Sequence, residues 1–191
     1  MTGFTATRSL PDISGSVSPH RLAHIVFRTN DMPRMIDWYS DVFGAHVVFQ
    51  TDKIAFLTYD DEHHRIALIA SESFAEKPDG TTVGFYHAAF TFADLGTLLA
   101  TYRRLASRDV WPRRSIHHGP TVSFYYQDPD LNDIEMQVDV FDTADAATDW
   151  MRGSVFSANP IGTEFDPEEL IVRYESGESI EALMRRADDQ Q

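Results

Sequence analysis

The chain contains no cysteine, which excludes disulfides and thiolate metal sites and leaves any bound metal to nitrogen and oxygen donors. It is also short of basic residues: 16 Lys and Arg stand against 30 Asp and Glu, a formal net charge of −14. That balance argues against nucleic acid and anionic membrane surfaces as partners, and solubility alone accounts for it. No apolar run approaches membrane-spanning length, and the opening MTGFTATRSLPDISGSVSPH lacks the continuous apolar segment of a secretory leader. A cytoplasmic location is therefore expected. What is present is a globular composition, 42% hydrophobic and 12% aromatic over 191 residues. This is too apolar for a disordered chain and long enough for one domain or two small repeats.

Residues 1–18 are rich in Ser, Thr, Gly and Pro without periodicity and read as a mobile arm. Leu22–Thr29 is a strand by its branched and aromatic content, with His24 on the face of Leu22 and Val26. Asn30-Asp31-Met32-Pro33 starts a helix whose apolar positions are Met35, Trp38, Tyr39 and Val42, and Gly44 ends it. Strands follow at Ala45–Gln50, Ile54–Tyr59 and Arg65–Ala70, and residues 71–83 form a linker with a Pro-Asp-Gly turn. The order then recurs: a strand over Gly84–Phe92, a helix behind Asp94, and strands near Arg113–His117, Val122–Gln127 and Asp133–Asp139. Strand-helix-strand-strand-strand thus occurs twice, and His24 and His87, 63 residues apart, open the two halves. The expected fold class is α+β, two paired βαβββ modules over 20–70 and 84–140 within a domain spanning 19–140. A helical C-terminal extension covers 141–191, with a helix at Asp142–Met151, a long loop over Arg152–Phe165, a capped helix from Asp166-Pro167, and a last helix at Ile180–Arg186.

The second half holds the chemistry. Pro129 cannot donate to a sheet ladder and Asn132 tolerates left-handed geometry, so Asp128–Asn132 reads as a hairpin turn. Past it, Glu135 shares a strand face with Gln137 and Asp139. His24, His87 and Glu135 are two imidazoles and one carboxylate, each on a strand. They form a 2-His-1-carboxylate facial triad, which leaves three coordination positions open on a ferrous ion. The first-half counterpart of the Glu135 strand offers Ile66, Ala67 and Leu68, none able to bind metal, so no fourth protein ligand is expected. His63 and His64 read as a polar turn, and Glu168-Glu169 as a helix start.

These features resemble the vicinal oxygen chelate superfamily, and the stretch from His118 resembles the type I extradiol dioxygenase signature. It runs His118, five residues, Phe124-Tyr125, two residues, Asp128-Pro129, Asp130, Leu131, three residues, Glu135. Leu131 departs from the Gly or Pro usual there, which bears on turn geometry and not on the ligand. Trp38-Tyr39, Glu62-His63-His64-Arg65 and the tail are similar to small biphenyl-2,3-diol 1,2-dioxygenase-like proteins. The resemblance implies Fe(II), with Mn(II) as the alternative, held by His24, His87 and Glu135. It implies His118 as the acid–base residue and Tyr125 as hydrogen-bonded to a substrate oxygen. His117 is a rival for His118, although Ile116, two residues before His118, favours His118. The expected substrates are an aromatic vicinal diol and O2, with no nucleic-acid or membrane partner, in a homo-oligomer. The rivals are another metalloenzyme of the same fold, such as an epimerase, thiol transferase or glyoxalase-type lyase, and a non-catalytic aromatic-ligand binding or resistance protein.

Overall fold

The structure, a computed structural model, describes residues 15–77 and 83–189. Most of the arm expected over 1–18 and the Pro78-Asp79-Gly80 turn lie outside the described residues. The first half runs β1 (Ile25–Thr29), α1 (Met32–Phe43), β2 (His46–Gln50), β3 (Ile54–Thr58) and β4 (Ile66–Ala70). The second repeats that order as β5 (His87–Thr91), α2 (Leu95–Ala106), β6 (Arg114–His117), β7 (Thr121–Gln127) and β8 (Asp133–Asp139). Local signals set the helix limits. Asp31 accepts from the Arg34 N–H and Asp94 from the Thr97 N–H, each satisfying an orphan donor of a first turn. Gly44, at φ 64°, ends α1 in the left-handed conformation that glycine adopts without strain.

Each half closes its own sheet, in the orders β1-β4-β3-β2 and β5-β8-β7-β6. In both, the first and last strands of the module pair in parallel, and the rest pair antiparallel. Period-two alternation divides each sheet into a helix-covered face and an outer face. In the first sheet Phe27, Ala55, Leu57, Ile66 and Leu68 pack on Met35 and Tyr39 of α1, and Ala88 and Ile134 of the second sheet join the same cluster. Phe124, Tyr126, Met136 and Val138 of the second sheet pack on α2. The halves therefore meet through their helix-covered sides. Arg104 fastens this junction by donating to the Asp41 and Val42 carbonyls at the end of α1. His24, Val26 and Arg28 fall on the outer face of one sheet, and His87, Ala89 and Thr91 on the outer face of the other.

The C-terminal extension holds α3 (Ala144–Met151), α4 (Ser154–Ala158), β9 (Thr163–Glu164), α5 (Pro167–Glu175) and α6 (Ile180–Leu183). The loop expected over Arg152–Phe165 is thus corrected: it contains a short helix and a strand that joins β6 as a fifth strand of the second sheet. A two-residue strand carries no periodicity of its own and exists because an edge was free to pair. The last helix is also shorter than expected, ending at Leu183. Leu170, Ile171, Leu183 and Met184 complete the core around α2, so the extension is built into the domain. Among the described residues, no helix is long and apolar enough to cross a membrane.

The β7–β8 turn is organised by Asp128. Its carboxylate accepts from the Asp130 and Asn132 N–H groups, from the Asn132 side-chain amide and from the Tyr39 hydroxyl of α1. Burial nevertheless pushes this carboxyl above its ordinary range, with those hydrogen bonds opposing the shift. The left-handed position is Leu131, φ 64°, not Asn132. A side chain there costs about 1–2 kcal/mol relative to glycine. Leu131→Gly is expected to raise stability by roughly 0.5–1 kcal/mol, after allowance for the freer unfolded chain. Urea unfolding checks this; a lower midpoint would mean that the half-exposed leucine contributes more contact than strain.

Candidate active site

The site grows from register. Across β5, β8 and β7, Ala89 pairs with Glu135 and Glu135 with Tyr125, so Glu135 and Tyr125 lie side by side on the outer face that also carries His87. Arg114 pairs with Tyr125 from β6 and joins them. His87 Nε2 lies 3.0 Å from Glu135 Oε2, and the carboxylate is almost fully buried. His118, one residue past β6, turns onto the same face. Its Nε2 is 2.8 Å from the Tyr125 hydroxyl and 3.9 Å from Glu135 Oε1. The Arg114 guanidinium covers the Tyr125 ring at 4.3 Å and donates to the exposed Tyr86 hydroxyl at 2.8 Å.

Electrostatics follow from this crowding. Burial holds His118 below the ordinary imidazole range, outweighing the Ile161 carbonyl and the Glu135 charge, which both act the other way. Burial pushes the Tyr125 phenol strongly upward, and the neighbouring Glu135 adds to it. At neutral pH the cluster therefore offers a neutral imidazole beside a phenol that keeps its proton.

The adjacent histidines 117 and 118 are not equivalent. His117 shares the helix-covered face with Ser115 and is buried. Its Nδ1 accepts from the Gly119 N–H, so Nε2 carries the proton and donates to the Met184 carbonyl at 2.9 Å. Both nitrogens are thereby engaged by backbone, away from Glu135. His118 alternates with Arg114 and Ile116 and reaches the cluster.

His24 stands apart. It lies just before β1, and its ring packs on His64 at 4.3 Å between centroids, with His64 in turn on Phe56. Burial, followed by the neighbouring histidines, lowers His64 from its ordinary range. Among the described residues, no group of three or more His, Asp or Glu side chains is close enough to hold one ion. The chain thus brings together His87, Glu135, His118 and Tyr125, but not His24. The donor pair itself fits a divalent first-row metal: an imidazole and a carboxylate converge, and His87 retains a buried Nδ1 with no partner among the described residues. The first sheet has no equivalent carboxylate, because Ala67 pairs with Val26 as Glu135 pairs with Ala89.

Arg114, Asn159, Gly162 and Arg186 also bear on the cluster, although none is expected there from the sequence. Asn159-Pro160-Ile161-Gly162 is itself a turn signature, with Asn first, Pro second and Gly fourth. A cavity of about 1130 Å³ also lies between β1 and the β7–β8 turn, lined by Val26, Arg28, Phe85 and Leu131 among others. None of the four clustered residues lines it.

Comparison with known proteins places these features in context. A family model described as the Glyoxalase/Bleomycin resistance protein/Dioxygenase superfamily matches residues 21–136. The chain is 44% identical over 174 residues to biphenyl-2,3-diol 1,2-dioxygenase 3 of Rhodococcus globerulus, covering 90% of each chain. It is 40% identical to biphenyl-2,3-diol 1,2-dioxygenase 2 of the same organism, over 87% of this chain and 88% of the other. Among solved structures, a glyoxylase/bleomycin resistance protein/dioxygenase domain from Frankia sp. EAN1pec aligns with a TM-score of 0.54 at 17% identity. That match covers 64% of this chain and 99% of the other and speaks to the fold alone.

Proposed function

Because this chain belongs to the glyoxalase/bleomycin resistance protein/dioxygenase superfamily, we propose that it is an extradiol ring-cleavage dioxygenase for a catechol-type diol resembling 2,3-dihydroxybiphenyl. The observation that carries the reading is the convergence of His87, Glu135, His118 and Tyr125 on one sheet face. His87 and Glu135 would hold the metal, Fe(II) with Mn(II) as the alternative. His24 is the third ligand, supplied by a second copy of the chain. The outer face that carries His24 supports this arrangement, since Val26 and Phe49 are 50% exposed there and Ile69 38%. An apolar sheet face left open in one chain is the kind of surface a symmetric partner covers.

A ferrous ion held by these residues would supply Lewis acidity toward the oxygens of a catechol-type diol. The protein residues do the rest. His118 Nε2, unprotonated at neutral pH, takes a proton from a diol hydroxyl. The Tyr125 hydroxyl, kept protonated and donating to His118 in the free site, turns to a substrate oxygen when the diol binds and holds the ring in register with the metal ligands. Arg114 fixes Tyr125 from above. Both atoms of O2 enter the ring-opened product, so no external reductant is needed.

The direct test is oxygen uptake by the Fe(II)-loaded protein on addition of 2,3-dihydroxybiphenyl and simpler catechols. One O2 consumed per diol, with appearance of the yellow ring-opened product, is the expected result. Iron bound without uptake across the panel of diols would overturn the assignment.

A further inference from the structure

We propose that the C-terminal extension is part of the catalytic apparatus. The Ile161 carbonyl, set by Asn159, Gly162 and Arg186, holds His118 in the tautomer that carries its proton on Nδ1 and leaves Nε2 free. This rests on the reading of His118 as the acid–base residue, and it adds positioning residues for that role.

His118 Nδ1 is 2.5 Å from the Ile161 carbonyl oxygen. A carbonyl only accepts, so Nδ1 is the donor and Nε2 of the neutral ring has its lone pair. That lone pair accepts from the Tyr125 hydroxyl, on the side of Glu135. Without a fixed acceptor at Nδ1 the ring would distribute its proton over both nitrogens, and only one form serves as a base here.

The acceptor is held with unusual redundancy for a surface segment. Gly162 sits at φ 99°, and a Cβ there would lie 2.2 Å from the His117 carbonyl oxygen and 2.8 Å from the His118 Cα. Only glycine permits this approach of the segment to the two histidines. The Asn159 side chain accepts from the Gly162 N–H and donates to the Gly162 carbonyl, closing the turn around Ile161. Arg186, with no exposed surface, donates to the His118, Asn159 and Val155 carbonyls and pairs with Asp188 over the Trp150 ring. One guanidinium thus ties the backbone of His118 to the segment that carries its acceptor. A guanidinium buried for stability alone is a poor bargain against apolar packing, whereas one that fixes two backbones in register has a specific use.

The test combines a spectroscopic readout with kinetics on the full-length protein. Nitrogen-15 NMR of the histidine rings, in metal-free protein, identifies the His118 signals as those lost in His118→Ala. Wild type should show a protonated Nδ1 and a bare Nε2. Gly162→Ala and Asn159→Ala should move that ring toward the Nε2–H form. In the iron-loaded protein they should lower kcat about tenfold with KM within roughly twofold. On a His118→Ala background the same substitutions should leave kcat unchanged, because no base remains to be oriented. A wild-type His118 protonated on Nε2, or equal kcat losses with and without His118, would overturn the proposal. Should Gly162→Ala fail to fold, Asn159→Ala carries the test. Full turnover in His118→Ala would sink the acid–base reading itself, while the ring spectra would still decide whether the extension sets the tautomer.

Discussion

A one-to-one mixture of His24→Ala and Glu135→Ala chains is expected to recover about a quarter of wild-type turnover, although each variant alone loses at least about a thousandfold. Strand parity divides the ligand set. His24 lies on the outer face of the first sheet, stacked on His64, and His87 and Glu135 lie on the outer face of the second. The two sheets meet through their helix-covered sides, where Tyr39 and Asp128 are joined and Phe43 packs on Phe90. A ligand set divided between outer faces is completed when the first sheet of one copy covers the second sheet of another. In a dimer of this kind each site draws His24 from one chain and His87 and Glu135 from its partner. A mixed dimer then has one site with both defects and one with neither. Random exchange makes about half of the dimers mixed, and half of their sites intact, which gives the quarter. Co-expression or brief unfolding and refolding provides the exchange, and oxygen uptake reads it. No recovery, with dimer exchange verified, would place all three ligands in one chain.

Much of this was legible in residues alone. The repeated strand-helix-strand-strand-strand order follows from caps and glycines such as Asp31, Gly44 and Asp94, whose effects are local. The Asp128–Asn132 turn was legible for the same reason, although the left-handed position went to Leu131, where Asp128 draws the backbone into place through three hydrogen bonds to its neighbours. Period two also separates the adjacent histidines: counting back from His118 through Ile116 to Arg114 puts it on the face of Tyr125, and His117 on the other. What a sequence does not carry is the path of the chain between modules, so the pairing of His24 with His87 by repeat position gave no hint that one copy holds them apart. Nor did it show that Ile161 and Arg186 return to His118, since those contacts are set by tertiary packing across 43 and 68 positions.

The adjacent pair of histidines gives the second large effect, and it separates chemistry from packing within two residues. His118→Ala is expected to lower kcat by about 10²–10³-fold, the usual contribution of a positioned base, with KM and bound iron little changed. The imidazole contacts the Tyr125 hydroxyl and approaches Glu135 without forming the close His87–Glu135 pair. His117→Ala should do the reverse. It removes the acceptor for the Gly119 N–H and the donor to the Met184 carbonyl in a buried setting, which costs about 2–4 kcal/mol of stability. Because Met184 belongs to the core around α2, that loss should appear as a lower unfolding midpoint with near-normal kcat in the surviving folded protein. Iron content, unfolding curves and steady-state kinetics on the two variants give a crossed pattern that no general weakening of the fold produces. If His117→Ala were instead the variant that lost kcat at full stability, the proton would be handled on the opposite face of the sheet, and the roles of Tyr125 and Glu135 would have to be reassigned with it.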